Sequence, residues 1–458
     1  LTDAAQTPPA EKARRRMRRP RTALGWFLAA MVALVLLVAG VGLIARYSVL
    51  SPQGLLFLEA RTDGLKLGRV GKLKIEGLTG DIWRDFHIRR LTISDEGGVW
   101  VEAKEVAVVW HAGPLLRRRM HAESIAAEQV TVFRRPILTP KTKSRGLPVS
   151  FDIDSLKARV ETRAPFSVQR GLFDLGANFR IERRGGGEGR VNIASLLHQG
   201  DGLRAEFMYG KDRPFRVVAD AVEAQGGPLA GSLGLSPDRP FNLVTRIVGD
   251  ARAGRVEAVV RTGDTTPLDV KGSWNGKSGE GAALVNIGAS RLLDSITRRI
   301  GPEVALKVAA RPSPAKGLHD TQIDLKADNL TLAASGPVDF LKREIPRGLG
   351  VEARVMDVSR MAPRPDMGAG HFIGRLTGKP SDITLSGRAS VDDLSLAGYS
   401  LANAQGPVSV RYAKKELTVT ADAVGRGGRG AGVAAALIGG APRARITLSR
   451  LADRRLLI

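Results

Sequence analysis

Along most of the chain, polar and apolar residues alternate in short runs. Between Lys72 and Gly77, Leu73 and Ile75 fall on one side and Lys72, Lys74 and Glu76 on the other. Phe86 and Ile88 alternate, and Leu91 and Ile93 then continue in the opposite register, so the slip at Arg89-Arg90 predicts a bulge or bend. Val99, Val101 and Ala103 lead to Val106, Val108 and Trp110, and Val130 and Val132 follow. A period of two over short stretches predicts strands of a sheet covered on one face. The separators are turn-formers at 62–64, 94–98, 185–189 and 249–254. Helical spacing is confined to short segments at 114–119, 193–198 and 290–300; in the last, Leu292, Ile296 and Ile300 fall four apart before Gly301-Pro302.

The second half repeats this texture without a fixed period. Residues 321–338 and 382–398 each read as a strand, a small-residue turn and another strand, and 406–412 and 417–424 add further strands. The expectation is a degenerate stack of hairpins in which each unit covers its neighbour. Residues 140–146 are the most linker-like stretch, dividing a block at 47–140 from one at 141–458.

One segment breaks the alternation. From Thr22 to Ala45 there is no charged residue. About 24 residues make a helix of ~36 Å, enough for a hydrocarbon core of ~30 Å. The apolar run exceeds that of a signal peptide, and no small-x-small site follows it, so residues 22–46 are predicted to be an uncleaved transmembrane helix. Arg14, Arg15, Arg16, Arg18, Arg19 and Arg21 precede it, and only Arg46 lies close behind. By the positive-inside rule the tail at 1–21, disordered and basic, stays cytoplasmic and the remainder is exported. A bacterial inner membrane with the bulk of the chain in the periplasm fits best.

Composition narrows the function classes. The 458 residues include no cysteine, which removes disulfides, thiolate nucleophiles and Cys-ligated metals together. Aromatics are only 5 %, so the core is built from Val, Leu, Ile and Ala. A formal net charge of +24 points to an anionic surface. For an exported chain that surface is lipid headgroups and not nucleic acid.

Catalytic patterns are weak. The six histidines are scattered, and His87 falls on the polar side of its strand. Gly276-Lys277-Ser278 lacks the P-loop glycine, because position 271 is Lys271. Gly425–Gly430 satisfies G-x-G-x-x-G, but the strand before it carries alternating threonines, unlike a buried parallel strand, and a flexible turn is the better reading. No enzyme, cofactor or metal is expected. A sheet with one apolar face must cover it with a second sheet or leave an open groove suited to acyl chains. The candidate groove residues are Leu73, Ile75, Ile88, Val106, Val108, Val130 and Val132.

A resemblance sharpens this. Gly77, Gly80-Asp81, Trp83, Phe86, Ile88, Arg90-Leu91, Ile93 and Asp95 form the pattern G-x-x-G-D-x-W-x-x-F-x-I-x-R-L-x-I-x-D. A strand ending in Trp110, the turn Leu115-Leu116-Arg117 and the stretch 226–240 follow. These resemble the N-terminal region of the translocation and assembly module subunit TamB family, of the AsmA-like group. The similarity spans 24–458 and beyond about residue 260 rests on texture. It implies a mainly β fold: a transmembrane helix, then an elongated, twisted, mostly antiparallel sheet forming a taco-shaped hydrophobic gutter, with few short helices. It also implies a role in outer-membrane protein assembly, protein secretion and bridge-like phospholipid transport, with phospholipid acyl chains and the inner membrane as partners. An outer-membrane barrel partner comes with longer relatives. This chain begins at Leu1 and stops at Ile458 in strand-like sequence, so it is expected to be a fragment. The rival readings are a membrane-anchored β-sandwich that binds envelope protein clients by strand addition, and an anchored enzyme.

Overall fold

The structure, a computed structural model, describes residues 51–139, 149–183, 185–211, 213–315, 317–362, 365–396, 398–413, 416–430, 437–450 and 456–457. The basic tail with Arg14 to Arg21, the predicted span at 22–46 and the linker at 140–146 lie outside the described residues. Among the described residues no helix is long and apolar enough to cross a membrane.

The chain opens on helix α1 (Pro52–Thr62). Ser51 caps it, its hydroxyl accepting from the Gly54 N–H at 3.1 Å, and Pro52 occupies the first turn, where a missing N–H costs nothing. Strands β1 (Leu65–Lys66), β2 (Lys72–Asp81), β3 (Asp85–Asp95), β4 (Gly98–His111), β5 (Arg119–Val132) and β6 (Ser150–Thr162) follow. The remaining strands run from Gly171–Ile181 to Leu456–Leu457, and among the described residues all belong to one 25-stranded sheet. Neighbours in sequence pair antiparallel almost throughout. The exceptions are the parallel β5–β6 pair and the two-residue strand Arg429–Gly430, which turns back onto Tyr399–Ala413 and leaves Glu416–Arg426 to pair with Arg443–Arg450. The result is an open, mostly antiparallel sheet, so the sandwich alternative is corrected. The sheet also runs unbroken across the expected boundary near residue 140.

Short helices are few: Gly113–Arg117 is a 3₁₀ turn, α2 spans Pro228–Ser232, and α3 (Asp294–Ile300) follows a 3₁₀ turn at Arg291–Leu293. Three sequence expectations are corrected. Residues 193–198 are not helical: strand Gly186–Ser195 ends there, and the Ser195 hydroxyl accepts from the N–H groups of Leu197 and His198. The glycine run at 185–189 is mostly the start of that strand and not a turn. The supposed hairpin at 382–398 is one long strand, Asp382–Leu396, with Gly387 in its middle. Gly276-Lys277 is a hairpin tip between Asn275 and Ser278.

Candidate functional site

Register decides which residues share a face, because side chains on directly paired residues stand together. Starting from Trp110, successive partners are Ala122, Ile153, Phe179, Gly189 and Phe207. The row continues through Val217, Ile247, Val256, Gly272, Gly281, Val308 and Ile323. It ends through Ala334, Val351, Gly374, Gly387, Val408, Ala421 and Ile446. No polar side chain interrupts it. The parallel row from Phe86 and Val108 to Gly406 has only Thr245 as a polar member. A third row, from Leu78, Ile88 and Val106 to Val304 and Ala327, is apolar throughout.

The opposite face is largely polar. Arg216, Arg255, Ser273, Glu280, Gln322, Ser335, Arg375, Ser386 and Thr420 lie along one of its rows. Two depressions, of about 690 and 600 Å³, are on this face, between charged side chains such as Arg255, Lys271 and Glu280 or Arg190, Arg204 and Glu206. They are open gaps between long charged side chains that stand above the sheet. Leu284 and Ile373 on this face are 61 % and 56 % exposed, whereas Leu306, Ile323 and Leu325 on the apolar face are half-buried. The apolar face is the sheltered one, yet most of it is not closed over.

The seven groove residues all lie on the apolar face. Strict alternation would put Ile75 and Leu78 on opposite sides, but a crease crosses the first strands. Gly77, Arg89, Glu105 and Glu128 are skipped in the ladders at one level, with register kept on both sides. Gly77 and Glu105 adopt left-handed φ values of 72° and 50°, and a Cβ on Gly77 would come within 2.7 Å of the Arg89 Cβ. Each strand thus takes one extra residue at the same level, and the apolar set changes parity without changing face. The bend expected at Arg89-Arg90 is this crease. Ile88, Val106 and Val108 are buried, with Ile75 packed beside them, under Leu55 and Leu58 of α1. Leu73, Val130 and Val132 are half-buried. His87 points the other way and pairs with Glu105 at 2.9 Å.

Sequence reasoning missed the wall along one edge. The strand ends at one rim close in short turns; at the other rim, longer insertions are bolted to one another. Arg134 donates to Asp95 at 2.9 Å and holds its carboxyl well below the ordinary range. Arg135 donates to the carbonyls of Gly231 and Ser232, at the end of α2. The Ser290 hydroxyl donates to the Leu233 carbonyl, and buried Asn329 donates to the carbonyls of Arg299 and Asp357. Leu229, Ala230, Leu235 and Ala289 from this wall pack on Ala221, Phe241, Val260 and Leu268 of the apolar face.

Glu223 anchors the wall. It is almost fully buried, and its two oxygens accept from the N–H groups of Leu229 and Ala230 at 2.7 and 2.8 Å. Burial pushes its carboxyl up, and the two N–H donors only partly oppose that. A raised folded pKa stabilises the fold fully below the ordinary glutamate value and loses that contribution as pH rises through the raised value. Stability against urea is expected to fall over that window, and Glu223→Gln to flatten the slope even if it lowers stability overall. An unchanged slope would remove Glu223 as its source.

Two other buried carboxylates, Asp152 and Glu161, are paired with arginines. Burial alone would raise Asp152, but Arg119 and Arg180 outweigh it and hold the group low; Arg163 does the same for Glu161. Among the described residues no cluster of His, Asp or Glu is placed to hold a metal. No protein-family model, curated protein or solved structure matches the chain.

Proposed function

We propose that this chain is a non-enzymatic envelope scaffold of the TamB kind, anchored in the inner membrane, whose apolar face is a gutter for phospholipid acyl chains. In that reading it carries lipid toward the outer membrane and supports outer-membrane protein assembly and secretion. The observation that supports it most is the uninterrupted row from Trp110 to Ile446. At ~4.8 Å per strand that row extends on the order of 90 Å. Each sheltered CH₂ is worth roughly 0.8 kcal/mol and needs no directional partner. Along that row an acyl chain meets no polar side chain to stop it.

The test is photo-crosslinking in cells with a probe at Leu306, on the open part of the apolar face, and at Lys307, which faces away. Ile75 is less suitable because it packs beside the cluster covered by α1. Phospholipid adducts at Leu306 and none at Lys307 are expected. Adducts only to protein at Leu306 would show that something other than lipid occupies the face and would end the conduit reading.

A further inference from the structure

The strongest apolar exposure outside the face lies at one corner of the sheet, on the short-turn rim beside α1. Leu116 is 93 % exposed, Phe57 67 % and Trp83 41 %, with Leu56 and Leu115 also exposed. Three separate segments supply them, and Trp110 ties these together. Its indole N–H donates to the Ile82 carbonyl at 2.9 Å, and its backbone N–H to the Arg84 carbonyl at 2.8 Å, fixing the 81–85 turn. Its ring shares a core with Leu55 of α1, and its strand runs directly into the 113–117 turn.

Charge accompanies the apolar tips. Arg84, Arg117 and Arg118 stand there without an ion pair among the described residues, while Arg119 is held by Asp152. Asp81 and Asp85 are the acidic groups of the 81–85 turn, and the segment 111–119 has none. Trp and Leu flanked by Arg suit the boundary between headgroups and acyl chains. Chain length adds a constraint. The uncharged run ends at Ala45, and six residues span at most about 21 Å, so a membrane helix there keeps Ser51 and the start of α1 within that reach of the bilayer.

We propose that this corner (Leu56, Phe57, Trp83, Leu115 and Leu116, with Arg84, Arg117 and Arg118) docks into the interface of an anionic bilayer and sets the orientation of the sheet against it. The proposal rests on the membrane-anchored reading but not on lipid carriage along the apolar face. It commits to the corner alone. A distant exposed tip on the same rim, Phe340-Leu341 beside Lys342 and Arg343, lies thirteen strand steps away, roughly 60 Å along the sheet, and on this proposal is held clear of the membrane.

The chain has no cysteine, so Leu116→Cys or Leu341→Cys supplies a single thiol for an environment-sensitive fluorophore. The full chain is reconstituted in phosphatidylcholine vesicles with or without phosphatidylglycerol, and quenching by doxyl-labelled lipid is read. Blue-shifted, quenched emission at 116 and water-like emission at 341 are expected. The effect at 116 should weaken without phosphatidylglycerol and in the triple variant Arg84→Ser, Arg117→Ser, Arg118→Ser. Water-like emission at 116 in both vesicle types overturns the proposal. Equal quenching at 116 and 341 overturns it too, because the whole rim would then lie on the bilayer. Crosslinking at Leu306 reads the conduit separately, so either idea can fail alone.

Discussion

If the apolar face is the proposed gutter, Ile323→Asp is expected to abolish most lipid transfer between membranes while leaving the sheet folded. Ile323 sits in the unbroken row between Val308 and Ala334, half-buried and away from both α1 and the insertion wall. A carboxylate there keeps enough water contact to remain ionised, so the ladder tolerates it. An acyl chain sliding past must strip that water or leave the floor. Either costs more than about 1.4 kcal/mol, so a loss of at least tenfold in rate is expected. Ile323→Ala removes surface without adding charge and should slow transfer only modestly. Lys326→Asp makes a larger change in charge on the outward face of the same strand and should have little effect. Transfer of a labelled phospholipid between donor and acceptor vesicles checks all three. Equal losses for Ile323→Asp and Lys326→Asp would mean that overall charge, and not the apolar row, governs transfer.

Much of this row was legible one strand at a time. Alternation placed Leu73, Ile75, Ile88, Val106, Val108, Val130 and Val132 on apolar sides, and register then put those sides together. Alternation could not say which strands are neighbours, and the parallel β5–β6 junction carries no local signal. Glycine misled most. Residues 382–398 read as a hairpin with a small-residue turn, yet Gly387 lies mid-strand opposite Gly374, where a Cβ would come within 2.2 Å of the Ile373 carbonyl oxygen. Gly189 pairs between Phe179 and Phe207, and a Cβ would crowd the Phe179 Cβ and the Phe207 ring. In this sheet such glycines make room for neighbouring backbone and aromatic rings. Helix α1 was missed for a different reason. Leu55-Leu56-Phe57-Leu58 is a contiguous apolar block without helical spacing, and only the Ser51-Pro52 start marks it. The insertion wall depends on contacts between segments distant in sequence, such as Arg135 with Gly231, which no single stretch encodes.

Trp110→Ala should be the most damaging single substitution in the first strands. The ring is almost fully buried among Leu55, Leu78, Ile88, Val106 and Val108, and truncating such a side chain costs roughly 3–5 kcal/mol. It also removes the donor to the Ile82 carbonyl, worth about 1 kcal/mol. Trp110→Phe keeps most of the packing and loses that bond, so it should fall between wild type and alanine. Because the sheet is a ladder of mainly sequential neighbours, the damage should stay local, as in other stacked architectures. Amide exchange should speed up in α1 and β2–β5 and remain unchanged beyond Phe241, whose own core is built from different residues. If instead protection fell equally along all strands, the sheet would be one cooperative unit. The same substitution removes the indole that packs against Leu55 and holds the Ile82 carbonyl, leaving only the backbone bond to Arg84, so fluorophore quenching at position 116 should weaken with it. Lipid adducts at Leu306 should persist, since nothing in that part of the floor depends on Trp110.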